Sequence, residues 1–140
     1  LRTPFSGYGL ETVPLRKDRM AAAGKIPEGK KKITLADLAG EPLILYRRWE
    51  KIILDECEKE GISPHVYCVA DDARTCLRWA REGLGTALVP ESVLPEEEIP
   101  AAVLSEEALS SSLLLARRKG DRTSKGGELL FEICRNPGRK

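Results

Sequence analysis

The stretch from residue 65 to residue 90 constrains the fold most, because it predicts a strand, a helix and a second strand in direct succession. Asp71 or Asp72 can cap the helix N-terminus, and apolar residues then recur at the i, i+3, i+4, i+7 spacing of one helix face. These apolar residues are Ala73, Cys76, Leu77 and Ala80. The apolar runs on either side, 65–69 and 86–89, predict the two strands. Such a unit is typical of parallel sheets, whose ligands bind beyond the carboxyl ends of the strands.

The alternation of strand and helix extends toward the N-terminus. Residues 43–46 form an uninterrupted apolar run, which predicts a strand buried on both faces. The next stretch places four apolar side chains on one helix stripe: Trp49, Ile52, Ile53 and Cys57. Thr34 and Asp37 have the spacing of a capping box and predict a short helix at 35–38, while residues 20–23 predict a further strand. Together these elements predict an α/β fold with a mostly parallel sheet flanked by helices.

Patterns are weaker near the two ends of the chain. Residues 7–16 are rich in turn formers and predict an irregular connection, and residues 105–110 predict a polar one. Short apolar runs at 102–104 and 112–116 predict two more strands. The last predicted helix, 128–135, carries an apolar face formed by Leu129, Leu130, Ile133 and Cys134.

Composition limits the possible partners. Lysine and arginine number 23 against 22 acidic residues, so the chain has no overall field that would attract nucleic acid or an anionic membrane. No apolar run approaches the length of a membrane span, and residues 1–20 lack the apolar segment of a signal peptide. These features predict a soluble, cytoplasmic protein without membrane contact.

Catalysis, metals and cofactors are not predicted. The four cysteines form no C-x-x-C pair and His65 is the single histidine, which argues against a zinc site and favours reduced cysteines as small core residues. The sequence has no nucleophile elbow, no H-E-x-x-H motif and no phosphate loop. The Gly83-Leu84-Gly85 pair follows a helix instead of opening one, so it is not a dinucleotide fingerprint. We therefore expect a binding domain, not an enzyme.

Four segments, taken in order and spacing, carry a family resemblance. They are Arg2-Thr3-Pro4, residues 33–45 (ITLADLAGEPLIL), Ala70-Asp71-Asp72 and residues 83–90 (GLGTALVP). In this arrangement the chain resembles the effector-binding domain of LysR-type transcriptional regulators along nearly its whole length. The resemblance implies the fold of type II periplasmic binding proteins, in which crossing strands join two Rossmann-like α/β lobes and a small effector lies in the cleft between them.

The resemblance also implies a domain layout. Residues 6–110 would form the second lobe, and residues 1–5 and 111–140 would be a remnant of the first lobe, with its crossing strand and C-terminal helix. Most of the first lobe, and the winged helix-turn-helix that binds DNA in this family, have no counterpart in the 140 residues. DNA contact would then come only through that missing domain. Family members also pair their lobes between subunits, so a homo-oligomer, dimeric or higher, is expected.

Three groups of residues are candidate effector contacts: Arg2 and Thr3 at the lobe connection; Arg47, Arg48 and Trp49 after the strand at 43–46; and Asp71 and Asp72 before the central helix. The second group is the most suggestive, because a helix N-terminus beside guanidinium groups suits a carboxylate. A small anionic effector is therefore expected. As alternatives, the arginines are merely solvated, Trp49 is a core residue, and the two aspartates are helix caps.

Two rival functions use related architecture. A solute-binding receptor of a transport system has the same fold, but the lack of an export signal and the four unpaired cysteines argue against it. Some relatives sense peroxide through a cysteine at the start of the helix that follows this strand. Here that position reads Arg47-Arg48-Trp49-Glu50, so although Cys57 lies near the partner cysteine of that scheme, the reactive one is missing.

Overall fold

The computed structural model describes residues 6–120 and 123–137, in which strands and helices alternate. The strands are β1 (Leu10–Ala23), β2 (Lys32–Ile33), β3 (Pro42–Tyr46), β4 (His65–Ala70), β5 (Thr86–Pro90), β6 (Ala101–Leu104) and β7 (Ser110–Arg118). The α-helices are α1 (Arg47–Lys59), α2 (Ala73–Arg81) and α3 (Lys125–Arg135), and single 3₁₀ turns lie at Leu35–Leu38, Glu91–Val93 and Glu107–Leu109. The chain divides into two compact units, a central one from Arg19 to Ser110 and an outer one from the segments on either side.

The sheet of the central unit has the strand order β2-β6-β1-β5-β3-β4. β3 pairs in parallel with both β4 and β5, and β2 pairs in parallel with β6. β1 runs antiparallel to β5 and to β6. The predicted strand–helix–strand unit is confirmed as β4, α2 and β5, with α2 crossing past β3. The sheet is therefore mixed, and its parallel half is the part that the sequence pattern identified.

Side chains of the central strand β3 alternate between the two faces of the sheet. Leu43 and Leu45 pack in one core cluster with Trp49 and Ile53 of α1. Ile44 packs in a second cluster, with the apolar face of α2: Ala73, Cys76, Leu77 and Ala80. The helices thus cover opposite faces, and the predicted burial of this strand on both faces is confirmed. Helices α1 and α2 each bury the stripe predicted from its spacing, apart from Ile52 of α1, which is half-buried.

A bulge interrupts the pairing of β3 with β4. Leu43 is paired with Val66, but the next residue, Ile44, is paired with Cys68, so Tyr67 has no partner on β3. Beyond the bulge the register runs on to Tyr46 opposite Ala70. One extra residue on β4 therefore sets which residues meet where the two strands end.

Local capping agrees with the sequence pattern at the short helix. Thr34 accepts the backbone N–H of Asp37, and the Asp37 carboxylate accepts the N–H of Thr34 at 2.9 Å. This reciprocal pair is a capping box, as predicted. The hydrogen bond from the backbone N–H of Thr34, followed by the charge of the Lys30 ammonium group, lowers the pKa of Asp37 by stabilising its charged form.

Two connections predicted as irregular contain regular structure. β1 starts at Leu10, so much of the predicted connection at 7–16 is strand; its residues 14–17 are exposed, and an exposed strand has no apolar alternation to reveal it. The predicted polar connection at 105–110 contains the 3₁₀ turn at 107–109, whose Leu109 is fully buried. A single apolar residue among polar ones gave no periodic signal.

In the outer unit, Arg117 holds α3 in place. Its guanidinium donates to Glu11 at 2.7 Å and to Glu128 at 2.8 Å, and it lies 4.4 Å from the ring centroid of Phe131. The hydrogen bond from Arg117 lowers the pKa of Glu11. A cation that pairs with two carboxylates and stacks on an aromatic ring fixes the position of all three partners.

The apolar face predicted for α3 is not its buried face. Phe131 is the buried residue of this helix, whereas Leu129, Leu130 and Ile133 are each more than half exposed. The helix also begins at Lys125 instead of residue 128, because Ser124 caps it by accepting the N–H of Gly127 at 3.2 Å. Two glycines in its first turn masked this start in the sequence.

Candidate functional site

The carboxyl ends of β3, β4 and β5 meet at one edge of the central sheet, because these strands are parallel. Arg47 follows β3 directly and Asp71 follows β4. Their predecessors, Tyr46 and Ala70, are register partners. The structure therefore brings together two of the residues predicted to contact an effector.

Arg47 and Asp71 form an ion pair. The Arg47 Nε donates to Asp71 Oδ1, and Arg47 Nη1 lies 3.9 Å from Glu50 Oε2. The hydrogen bond with Asp71, reinforced by its charge, raises the pKa of Arg47. The Arg47 side chain is 59% exposed and that of Asp71 is 81% exposed. Exposed pairs of this kind add little to stability, so an incoming carboxylate can replace Asp71 on the guanidinium at small cost.

The N-terminus of α1 has no side-chain cap. Tyr46 occupies the cap position and makes no side-chain hydrogen bond there. By contrast, Asp72 caps α2 by accepting the N–H of Arg74 at 3.0 Å. N–H groups of the first helical turn need an acceptor that the helix itself cannot supply. The start of α1, next to the Arg47 guanidinium, therefore offers donors to an anion.

The remaining predicted site residues have different surroundings. Trp49 is 2% exposed and packs in the core with Ile53, in agreement with the alternative that it is a core residue and not an effector contact. Arg48 is exposed beside it. Asp72 acts as a helix cap, in agreement with the capping alternative. Arg2 and Thr3 lie outside the described residues.

Sequence reasoning missed a cavity at the other end of the strands. It has a volume of about 790 Å³ and is lined by residues from four separate segments, among them Lys25, Glu41, Arg81 and Glu98. Its lining includes the glycines at 24, 83 and 85, which are far apart or in an ordinary turn in the sequence and gave no signal of a cavity. Only the folded chain brings these segments together.

Two cysteines lie deep in the core. Cys57 is 1% exposed and Cys76 is fully buried. Burial raises the pKa of both thiols, that of Cys76 to about 11. Because the thiolate is the reactive form, neither has the character of a redox-sensing cysteine.

No helix within residues 6–120 and 123–137 is long and apolar enough to cross a membrane.

Thiol labelling tests this burial. At about pH 8, iodoacetamide should label Cys57 and Cys76 at least about a hundredfold more slowly in the native protein than in the protein unfolded by denaturant. Mass spectrometry of the digested protein measures each site, and the partly exposed Cys68 and Cys134 serve as internal controls. Rapid labelling of Cys57 in the native state would reopen the thiol-switch hypothesis.

Comparison with known proteins identifies the family of this chain. Residues 1–137 match the family model described as the LysR substrate binding domain. Over 102 residues the chain is 33% identical to the HTH-type transcriptional regulator CatR of Pseudomonas putida, a match that spans 68% of this chain and 35% of CatR.

Solved structures share the fold. Full-length CbnR in complex with its target DNA superposes with a TM-score of 0.79 at 21% identity, over 99% of this chain and 50% of CbnR. The BenM effector binding domain with its effector benzoate gives a TM-score of 0.74 at 20% identity, over 97% of this chain and 66% of that domain. The chain thus spans about a third of CatR and half of CbnR.

Proposed function

Because this chain belongs to the LysR substrate binding domain family, we propose that it is the effector-sensing part of a DNA-binding transcriptional regulator. The observation that carries the effector site is the uncapped N-terminus of α1 beside the exposed Arg47–Asp71 pair. A guanidinium beside the first turn of a helix that has no side-chain cap suits a small carboxylate. Benzoate, the effector in the BenM structure, is a ligand of that chemistry.

The rest of the regulator supplies what these 140 residues lack. DNA contact is assigned to a winged helix-turn-helix outside this chain, since CatR is an HTH-type regulator and full-length CbnR is known bound to DNA. In this assignment residues 6–110 are the second lobe of the domain, and residues 1–5 and 111–140 belong to the first. The protein acts in the cytoplasm as a homo-oligomer and catalyses no reaction. A transport receptor is not favoured, because the family and its named relatives are regulators.

The proposed mechanism is a population shift. The carboxylate of the effector replaces Asp71 on Arg47 and accepts N–H groups from the first turn of α1. An effector regulates only if it binds one arrangement of the subunits better than another. The free energy of this difference is then transmitted to the way the oligomer holds DNA.

Arginine variants of the full-length regulator test the site. Binding of a panel of small carboxylates that begins with benzoate should identify an effector by calorimetry, and Arg47→Ala should then weaken its affinity about ten- to a hundredfold. Arg48→Ala and Arg2→Ala test the other predicted cations. Thermal stability should hardly change, because exposed arginines contribute little to it.

Lys51→Ala is the matched control for these variants. Lys51 lies on the same helix, is 88% exposed and forms an ion pair with Asp55 one turn later, so its removal should leave effector affinity unchanged. If none of the three arginine variants shifts the dissociation constant while all stay folded, the effector site lies elsewhere.

A further inference from the structure

The cavity of about 790 Å³ lies at the amino-terminal ends of β3 and β5, at the opposite edge of the sheet from Arg47. Its volume is within the range of small-molecule sites. Pro42, Ala80 and Ile99 contribute apolar surface to its lining. All of its lining residues belong to the central unit. It is thus a concave, partly apolar surface separate from the carboxylate site proposed above.

Two ion pairs lie in the lining of this cavity. Lys25 Nζ is 3.5 Å from Glu41 Oε1, and Arg81 Nη2 is 2.6 Å from Glu98 Oε2. The site therefore contains two cations and two carboxylates, and its net charge is zero. Because at least one partner in each pair is well exposed, either pair can admit the opposite charges of a ligand at small cost.

The segments that form the cavity are fastened to one another. Thr86 is fully buried, and its hydroxyl accepts the backbone N–H of Lys25 and donates to the Lys25 carbonyl, both at 3.2 Å. The N–H of Gly24 donates to the carbonyl of Pro100 at 2.9 Å. These bonds connect the loop after β1 to β5 and to the loop before β6. A site held in place before binding spends less free energy on ordering when a ligand arrives.

We propose that this cavity binds a free amino acid with a large apolar side chain. The α-carboxylate pairs with the Arg81 guanidinium, the α-ammonium pairs with the Glu98 carboxylate, and the side chain covers Ala80 and Ile99. The charges of a zwitterion are adjacent and opposite, as are those of the Arg81–Glu98 pair. A simple anion or a simple cation would meet two like charges in the same lining, so the net-neutral site selects against both.

Three related probes distinguish these ligand classes on the intact chain. L-Phenylalanine is the zwitterion, N-acetyl-L-phenylalanine the anion and phenethylamine the cation. In nitrogen–proton correlation NMR, L-phenylalanine should shift the amide signals of Gly83 and Gly85, and each analogue should bind at least tenfold more weakly. No shifts at concentrations on the order of 10 mM, equal binding of the acetylated anion, or shifts confined to Arg47 and Asp71 would overturn the proposal.

Variants at Arg81 complete the test. Arg81→Gln should weaken L-phenylalanine binding tenfold or more, whereas Arg81→Lys keeps the charge and should retain most of the affinity. Arg78→Gln is the matched control, since Arg78 lies on the same helix and outside the lining of this cavity. The spectra also report whether each variant is folded. Equal affinity of folded Arg81→Gln and wild-type protein would contradict the assignment.

Discussion

Replacing Ile44 with alanine is expected to lower the free energy of unfolding of the protein by about 2–5 kcal/mol. Ile44 is fully buried in β3, a strand that pairs on both sides, and it packs against the apolar face of α2. Truncation removes buried methyl groups and leaves a cavity that a strand held by both neighbours cannot fill. Urea denaturation followed by circular dichroism measures the loss.

Leu84→Ala is the control for this variant. Leu84 is also a large aliphatic residue of the central unit, but it is 42% exposed, and its truncation should cost less than about 1 kcal/mol. If Ile44→Ala cost no more than Leu84→Ala, then β3 would not be the packed centre of the sheet. The comparison holds side-chain size nearly constant and changes burial.

A methyl group added at Gly85 should destabilise the protein by about 1–3 kcal/mol. A Cβ there would lie 2.7 Å from the carbonyl oxygen of Pro42 and 3.1 Å from Cγ1 of Ile44. The first of these contacts is with backbone, so β3 and β5 would have to move apart where they start to pair. Thermal and urea denaturation of Gly85→Ala measure this cost.

Gly126→Ala provides a control of opposite sign. Gly126 lies in the first turn of α3, and the nearest atom to an added Cβ would be Ser124 Oγ at 3.9 Å. Alanine is favoured over glycine in a helix, so this variant should stabilise α3 by up to about 1 kcal/mol. If both variants destabilised the protein, the loss at Gly85 would not be explained by the close contact with Pro42.

Much of the central unit was predictable because its helices and buried strands are periodic. The spacing of Cys76, Leu77 and Ala80 located α2, and the apolar run at 43–46 located β3. The first half of β1 was missed because its exposed, charged residues show no alternation. The prediction of which face α3 buries was wrong, because the side chain of Phe131 is covered by Arg117, a residue of another element. A local sequence pattern shows periodicity but does not show contacts between residues on different elements.

The candidate site was predictable in part. The resemblance singled out Arg47 and Asp71, and the parallel pairing of β3 with β4 accounts for their proximity, because the carboxyl ends of the two strands meet at one edge. The sequence did not determine which of the residues 47–49 face solvent. In the structure Trp49 lies in the core and both arginine side chains are exposed. The cavity at the amino-terminal ends of β3 and β5 is formed by four segments that are separated in the sequence, and no local pattern predicts where such segments converge.

The bulge at Tyr67 makes ligand chemistry depend on strand register. In an unbroken ladder of the same residues Tyr46 would lie opposite Val69, and Arg47 would lie opposite the methyl group of Ala70 instead of the carboxylate of Asp71. Deletion of Tyr67 would remove the bulge and keep Arg47 opposite Asp71, whereas loss of the bulge without a deletion would separate Arg47 from its internal counter-ion and change no residue of the proposed site. The alignment of β4 against β3 is thus one route by which relatives of this chain can differ in effector preference without any substitution at the site.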